Sequence, residues 1–81
     1  MSQTDFVVYG RPWCGYCAGA VRLLKSSPYS FTYIDVYDEN ISKESLSNKL
    51  GVSVRTWPQI VHGDTYVGGY TELVPYLKKL K

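Results

Sequence analysis

The chain has 81 residues, 44% of them hydrophobic, and nine lysines and arginines against seven aspartates and glutamates give a formal charge of +2. That is one small domain, apolar enough to pack a core and too apolar for a disordered tail. So slight a charge, with Lys and Arg in no stripe, excludes a nucleic-acid binder, and no segment nears the roughly 18 uninterrupted apolar residues of a membrane span.

The opening MSQTDFVVYG carries Asp5 and no basic region, so no signal or transit peptide is expected and nothing points to secretion. Residues 1–81 read as a single domain without linker, repeat or low-complexity stretch. DFVVY is a short β-branched run ended by Gly10 and Pro12, the pattern of a buried strand. Cys17, Ala20, Val21 and Leu24 then follow helical spacing, with Arg22 and Lys25 on the other face, until SSPYS, where Pro28 cannot continue a helix. FTYIDV is rich in strand formers, so the first third of the chain is a βαβ unit with parallel strands.

In DENISKESLSNKLG, Ser42 is the expected N-cap, with Ser45 a weak third residue of a capping box. Leu46 and Leu50 form the buried side, and Gly51 is the stop. PQIVHGDTYVGG reads as a hairpin around His62-Gly63-Asp64. TELVPYLKKLK places Leu73, Leu77 and Leu80 at helical spacing with lysines in the last turn. Pro75 fits that helix only near its first turn, so the start is expected near Thr71. The order is β-α-β-α-β-β-α, an α/β fold with a mixed four-stranded sheet flanked by helices.

Both cysteines of the chain, Cys14 and Cys17, lie in RPWCGYC between the first strand and the first helix. A bridge three positions long closes a tiny loop and constrains the unfolded chain very little, which argues against a structural staple. A structural zinc site takes about four ligands, and two cysteines with His62, expected as an exposed loop residue, are too few. In a βαβ context C-x-x-C is a redox signal. Cys14 would precede the first helical turn, where free N–H groups and the dipole favour a thiolate, with Arg11 three residues upstream. Cys17, one turn in on the apolar side, would stay a protonated, slow thiol. Cys14 therefore attacks a disulfide and Cys17 resolves the mixed disulfide.

A second constellation lies downstream. Pro58 after Thr56-Trp57 opens an apolar strand, and a cis Trp57–Pro58 bond would expose the Trp57 backbone for a substrate to pair with. Propensity alone favours an ordinary trans proline at a strand edge, since cis is about 5–6% of such bonds. In GGYTEL, Gly68 and Gly69 allow positive φ or close backbone approach. Thr71 is the expected N-cap of a helix start that can take a carboxylate. The acids Asp35, Asp38, Glu39 and Glu44 gather mid-chain, while Arg11 and Arg55 stand apart as a place for small anions.

RPWCGYC, RTWPQI and VGGYTEL resemble, in order and spacing, the three signature segments of the dithiol glutaredoxins, above all the short bacterial and phage type of this thioredoxin-like superfamily. The resemblance spans nearly the whole chain. It implies a glutathione-dependent thiol–disulfide oxidoreductase, with Cys14 nucleophilic, Cys17 resolving, Pro58 cis and a glutathione groove beside the thiolate. Arg11 would face the thiolate or the glycine carboxylate of glutathione, and Tyr16 would line the groove. The Trp57 backbone, after Thr56, would pair with the cysteinyl part. Gly69, Tyr70, Thr71 and Glu72 would hold the γ-glutamyl end, Thr71 taking its carboxylate and Glu72 its amino group. Glutathione is then a co-substrate, with no tightly bound cofactor or metal. The partners implied are disulfide-containing proteins, a ribonucleotide reductase among them, and the protein would be a cytoplasmic monomer. The sequence departs from the pattern at three positions: Gly15 for proline, Trp57 for a small β-branched residue, and Glu72 for aspartate. In some family members a glycine at the position of Gly15 accompanies a glutathione-ligated iron–sulfur cluster held between two monomers, with Cys14 then a ligand.

Overall fold

The computed structural model describes residues 5–80, so the part of the leader reading that rests on residues 1–4 falls outside the described residues, as does residue 81. In chain order the elements are β1 (Phe6–Gly10), α1 (Gly15–Lys25), β2 (Phe31–Asp35), α2 (Lys43–Leu50), β3 (Gln59–His62), β4 (Thr65–Gly68) and α3 (Tyr70–Lys79). The sheet order is β2-β1-β3-β4. β1 pairs parallel with β2 and antiparallel with β3, and β3 pairs antiparallel with β4, which makes the expected mixed sheet.

β1 is apolar without alternation because it is central and covered on both faces. Phe6 and Val8 pack with Ala20, Leu24, Ile60 and Leu73 under α1 and α3. On the other face Tyr9 packs with Val36, Leu46 and Val54, and with the half-buried Trp57, beneath α2. Phe6, Leu24, Ile60 and Leu73 are fully buried, and each such side chain stabilises the fold by roughly 1.5–3 kcal/mol at most. Gly10 ends β1 where no side chain fits: a Cβ there would lie 2.5 Å from the Tyr33 hydroxyl oxygen and 2.9 Å from Cys17 Sγ. The sheet can therefore deliver the chain directly under the cysteine pair.

α2 follows its sequence signals. The Ser42 hydroxyl accepts from the Ser45 amide at 3.0 Å, Ser45 Oγ returns to the Ser42 carbonyl at 3.1 Å, and the chain leaves through Gly51 at φ 74°. α3 differs from the expectation. Its N-cap is Gly69 rather than Thr71, and Pro75 lies inside the helix, beyond the first turn. Proline in a helix interior costs about 3 kcal/mol. Here it stands on the exposed face, while the buried Leu73 and the packed Tyr76, Leu77 and Leu80 hold the helix on the core. The Glu72 carboxylate accepts from the Gly69 amide at 2.9 Å, so the side chain three positions on satisfies the first turn.

His62 is a second correction. It is not an exposed loop residue: the tight turn is Gly63-Asp64, and His62 ends β3. Its ring stacks on Phe6 at 4.1 Å and 6° between planes, and its Nδ1 lies 2.7 Å from the Tyr76 hydroxyl. Pairing with Phe6, at the start of β1, places it at the far end of that strand from Cys14. An aromatic floor, unreadable from the turn residues around it, buries the ring.

Candidate active site

The first turn of α1 is capped by a sulfur. Cys14 is the N-cap in extended conformation, φ −115° and ψ 109°, and its Sγ accepts from the Cys17 amide at 3.1 Å. Its own carbonyl accepts the first helical bond, from Ala18, at 3.1 Å. Helix geometry thus aims a backbone N–H at the Cys14 sulfur, as it would at a serine or aspartate cap. Cys17 is 2% exposed, and the two cysteines form a disulfide with Cα atoms 5.2 Å apart. Cys14 keeps contact with solvent. The structure therefore places the pair with the exposure difference that the spacing predicts.

The Trp57–Pro58 bond is cis, against bare propensity and as the family pattern implies. Across 43 positions of sequence the fold brings the Trp57 carbonyl oxygen to 3.8 Å from Cys14 Sγ. Trp57 leans on the α2-side core and not on Trp13, which is 94% exposed. Beneath this loop Gln59, 4% exposed, donates from Nε2 to the Thr56 carbonyl at 2.8 Å and accepts on Oε1 from the Tyr66 hydroxyl at 2.6 Å. Gln59 and Tyr66 escaped the sequence reading. A polar residue immediately after the proline, inside an apolar strand, was the signal that could have found them.

From the Trp57–Pro58 loop a cleft of about 660 Å³ runs to the start of α3. Tyr16, Arg55, Thr56, Trp57, Pro58, Gly69, Tyr70, Thr71 and Glu72 line it, so most residues singled out for binding meet in one place. Tyr16 and Tyr70 stack across it with centroids 5.9 Å apart. Gly68, at φ 120°, has Glu72 side-chain atoms about where a Cβ would project, so only glycine lets that carboxylate fold back over the helix start. Burial, and then the Glu72 carboxylate, raises the Tyr66 pKa and keeps the phenol a proton donor. Arg11 lies on the other side of Trp57, in a smaller depression with Trp13, Cys14, Lys43 and Arg55. The two isolated arginines of the sequence, with Lys43, thus become neighbours of Cys14. Among the described residues no group of three or more His, Cys, Asp or Glu could hold a metal ion, and no helix is long and apolar enough to cross a membrane.

A family model described as glutaredoxin matches residues 6–67. Glutaredoxin 1 of Escherichia coli K12 is 35% identical over 78 residues, covering 90% of this chain and 92% of that protein. In three dimensions the chain is similar to reduced E. coli glutaredoxin, with a TM-score of 0.75 at 34% identity over 93% of this chain and 94% of that one. The solution structure of a Brucella melitensis glutaredoxin gives a TM-score of 0.73 at 32% identity, over 98% and 84% of the two chains.

Proposed function

Because this chain belongs to the glutaredoxin family of thiol–disulfide oxidoreductases, we propose that it reduces glutathione mixed disulfides and protein disulfides with electrons from glutathione. One observation carries the reading: the sulfur that caps α1 lies within 4 Å of the Trp57 carbonyl before a cis proline, and Trp57 in turn lines a cleft with glycine, tyrosine, threonine and glutamate.

Cys14 thiolate attacks one sulfur of the substrate disulfide, and the other sulfur leaves as a thiolate. The Cys17 amide that donates to Cys14 Sγ holds the anion before attack, at no reorganisation cost. With a protein substrate, Cys17 then loses its proton and attacks Cys14, forming the Cys14–Cys17 disulfide and releasing the second substrate thiol. One glutathione opens that disulfide to give Cys14–glutathione, and a second displaces it as glutathione disulfide. Two electrons pass in all. With a glutathione mixed disulfide Cys14 suffices.

Glutathione lies with its cysteinyl backbone against Trp57 and its γ-glutamyl end at the start of α3. There the Thr71 region takes the carboxylate and Glu72 the amino group. Tyr16 and Tyr70 wall the groove, and Arg11, with Arg55, receives the glycine carboxylate. The protein acts as a monomer in a reducing cytoplasm, and a ribonucleotide reductase is a fitting protein substrate. An iron–sulfur cluster would find one accessible sulfur per chain. Glutathione and a second copy would have to complete its ligands, and no step above runs through it.

The test is turnover of a glutathione mixed disulfide, coupled to glutathione reductase and compared with thioredoxin reductase as electron source. Cys14→Ser should fall to background, whereas Cys17→Ser should keep the mixed-disulfide reaction and lose reduction of protein disulfides. Retained activity in Cys14→Ser, or electrons accepted only from thioredoxin reductase, would refute the reading.

A further inference from the structure

Cys14 is approached from two sides, and the glutathione cleft uses only one. On the other, a groove of about 670 Å³ runs between α1 and β2, with both cysteines at its head. Ala18, Val21, Arg22 and Lys25 line it at the i, i+3, i+4, i+7 spacing of a single helical stripe, facing Phe31 and Tyr33 of β2. Three of its lining residues, Arg11, Arg22 and Lys25, are cationic, and none is acidic. The nearby Asp35 carboxylate is occupied as acceptor for the amides of Tyr37 and Asp38, at 3.0 and 3.1 Å. At its mouth Trp13 is 94% exposed and sits in the left-handed backbone region, at φ 58°. A tryptophan there bears both a conformational cost and a solvation cost, which is reasonable where a partner covers it. β2 is an edge strand, so its outer backbone is open to an extended chain.

We propose that the α1–β2 groove, walled by Trp13, Val21 and Tyr33 and carrying Arg11, Arg22 and Lys25, docks an acidic, extended segment of a protein disulfide substrate whose cysteine reaches Cys14. This rests on Cys14 as the attacking sulfur. From Cys14 to Lys25 the helix rises about 16 Å, which an extended chain covers in roughly five residues. Arg11 serves glutathione and the protein segment in turn, whereas Arg22 and Lys25, outside the glutathione contacts, select among protein substrates and speed their encounter most at low salt.

The experiment compares three synthetic peptides that share one internal Cys-x-x-Cys disulfide followed by five residues that are acidic, neutral or basic. Glutathione and glutathione reductase supply the electrons. The acidic peptide should exceed the basic one in kcat/KM by about ten-fold at low salt. Arg22→Glu/Lys25→Glu, or Arg22→Gln/Lys25→Gln if charge reversal prevents folding, should erase that margin yet leave turnover of a small glutathione mixed disulfide unchanged. Equal rates for the three peptides, or a margin that survives in both variants, overturns the proposal, as does loss of small-substrate turnover in a folded variant, which would make the groove a glutathione site. If the native protein fails on the small mixed disulfide, the proposed function falls by itself. Docking is then read by NMR titration with the acidic peptide, its cysteines replaced by serine: amide shifts along Ala18–Lys25 and β2 support it, and shifts confined to Gly69–Glu72 overturn it.

Discussion

Gln59→Leu removes the brace beneath the loop that carries Thr56 and Trp57 while nearly conserving volume. The native side chain is 4% exposed and makes two hydrogen bonds, to the Thr56 carbonyl at 2.8 Å and from the Tyr66 hydroxyl at 2.6 Å. Each is worth about 0.5–1.5 kcal/mol net. Thr56 and Tyr66 are exposed enough to regain water, so no full penalty for an orphaned polar group is added, and the better burial of leucine returns part of the loss. The expected cost is about 1–2 kcal/mol, or a fall in Tm of roughly 4–16 °C for a domain of this size. Urea unfolding with an unchanged m-value should report it. Well below the transition, KM for a glutathione mixed disulfide should rise several-fold, because the segment carrying Thr56 and Trp57 loses its anchor. Tyr66→Phe leaves the buried Gln59 Oε1 without its donor and should cost about 1–3 kcal/mol, as much as Gln59→Leu itself. Added to Gln59→Leu it should cost little more, since that bond is already gone. A Gln59→Leu protein within about 0.5 kcal/mol of the parent, with unaltered KM, would refute the bracing role.

Three further outcomes follow from the same geometry. Gly10→Ala should cost about 1–3 kcal/mol in urea unfolding; the Tyr33 hydroxyl can swing away, but the buried, disulfide-bonded Cys17 sulfur 2.9 Å off cannot, and a variant as stable as the parent would contradict this. Glu72→Gln keeps an acceptor for the Gly69 amide but loses the charge proposed to meet the amino group of glutathione. Stability should therefore change by under about 1 kcal/mol while KM for glutathione substrates rises about ten-fold, and the reverse pattern would make Glu72 a helix cap alone. Tyr66 and Tyr33 both have folded pKa values raised above 10.0, by burial first and then by the Glu72 and Asp35 carboxylates respectively. The unfolded chain therefore releases these protons first. The contribution is fully present below pH 10 and is lost as pH rises through the folded values. The urea midpoint should fall more steeply above pH 10 in the parent than in Tyr33→Phe/Tyr66→Phe, and equal slopes would dispose of the assignment.

The departures from expectation share a cause. Thr71 looks like an N-cap in isolation, and Pro75 then limits where the helix can begin. What moves the start to Gly69 is the Glu72 side chain folding back, together with Leu73, Tyr76 and Leu77 seated on the sheet. Packing energy accepts a proline that local rules would exclude. His62 lies among turn residues, and only the pairing of β3 with β1 places it over Phe6. Asymmetry between the cysteines needed no such help. Three positions of spacing at a helix start put one sulfur at the cap and the other one turn inside.

The linear chain by itself determined the order of elements, the capping of α2 by Ser42 and the difference in exposure between Cys14 and Cys17, because each depends on periodicity and on groups within one helical turn. Tertiary structure alone decided that Trp57 stands beside Cys14, that Arg11 and Arg55 share a depression, that Gln59 braces the loop, and that α1 and β2 leave a cationic groove between them. Those contacts join segments far apart in sequence. They exist only once burial of the two faces of the sheet has set where each helix lies, and no local pattern encodes that distance.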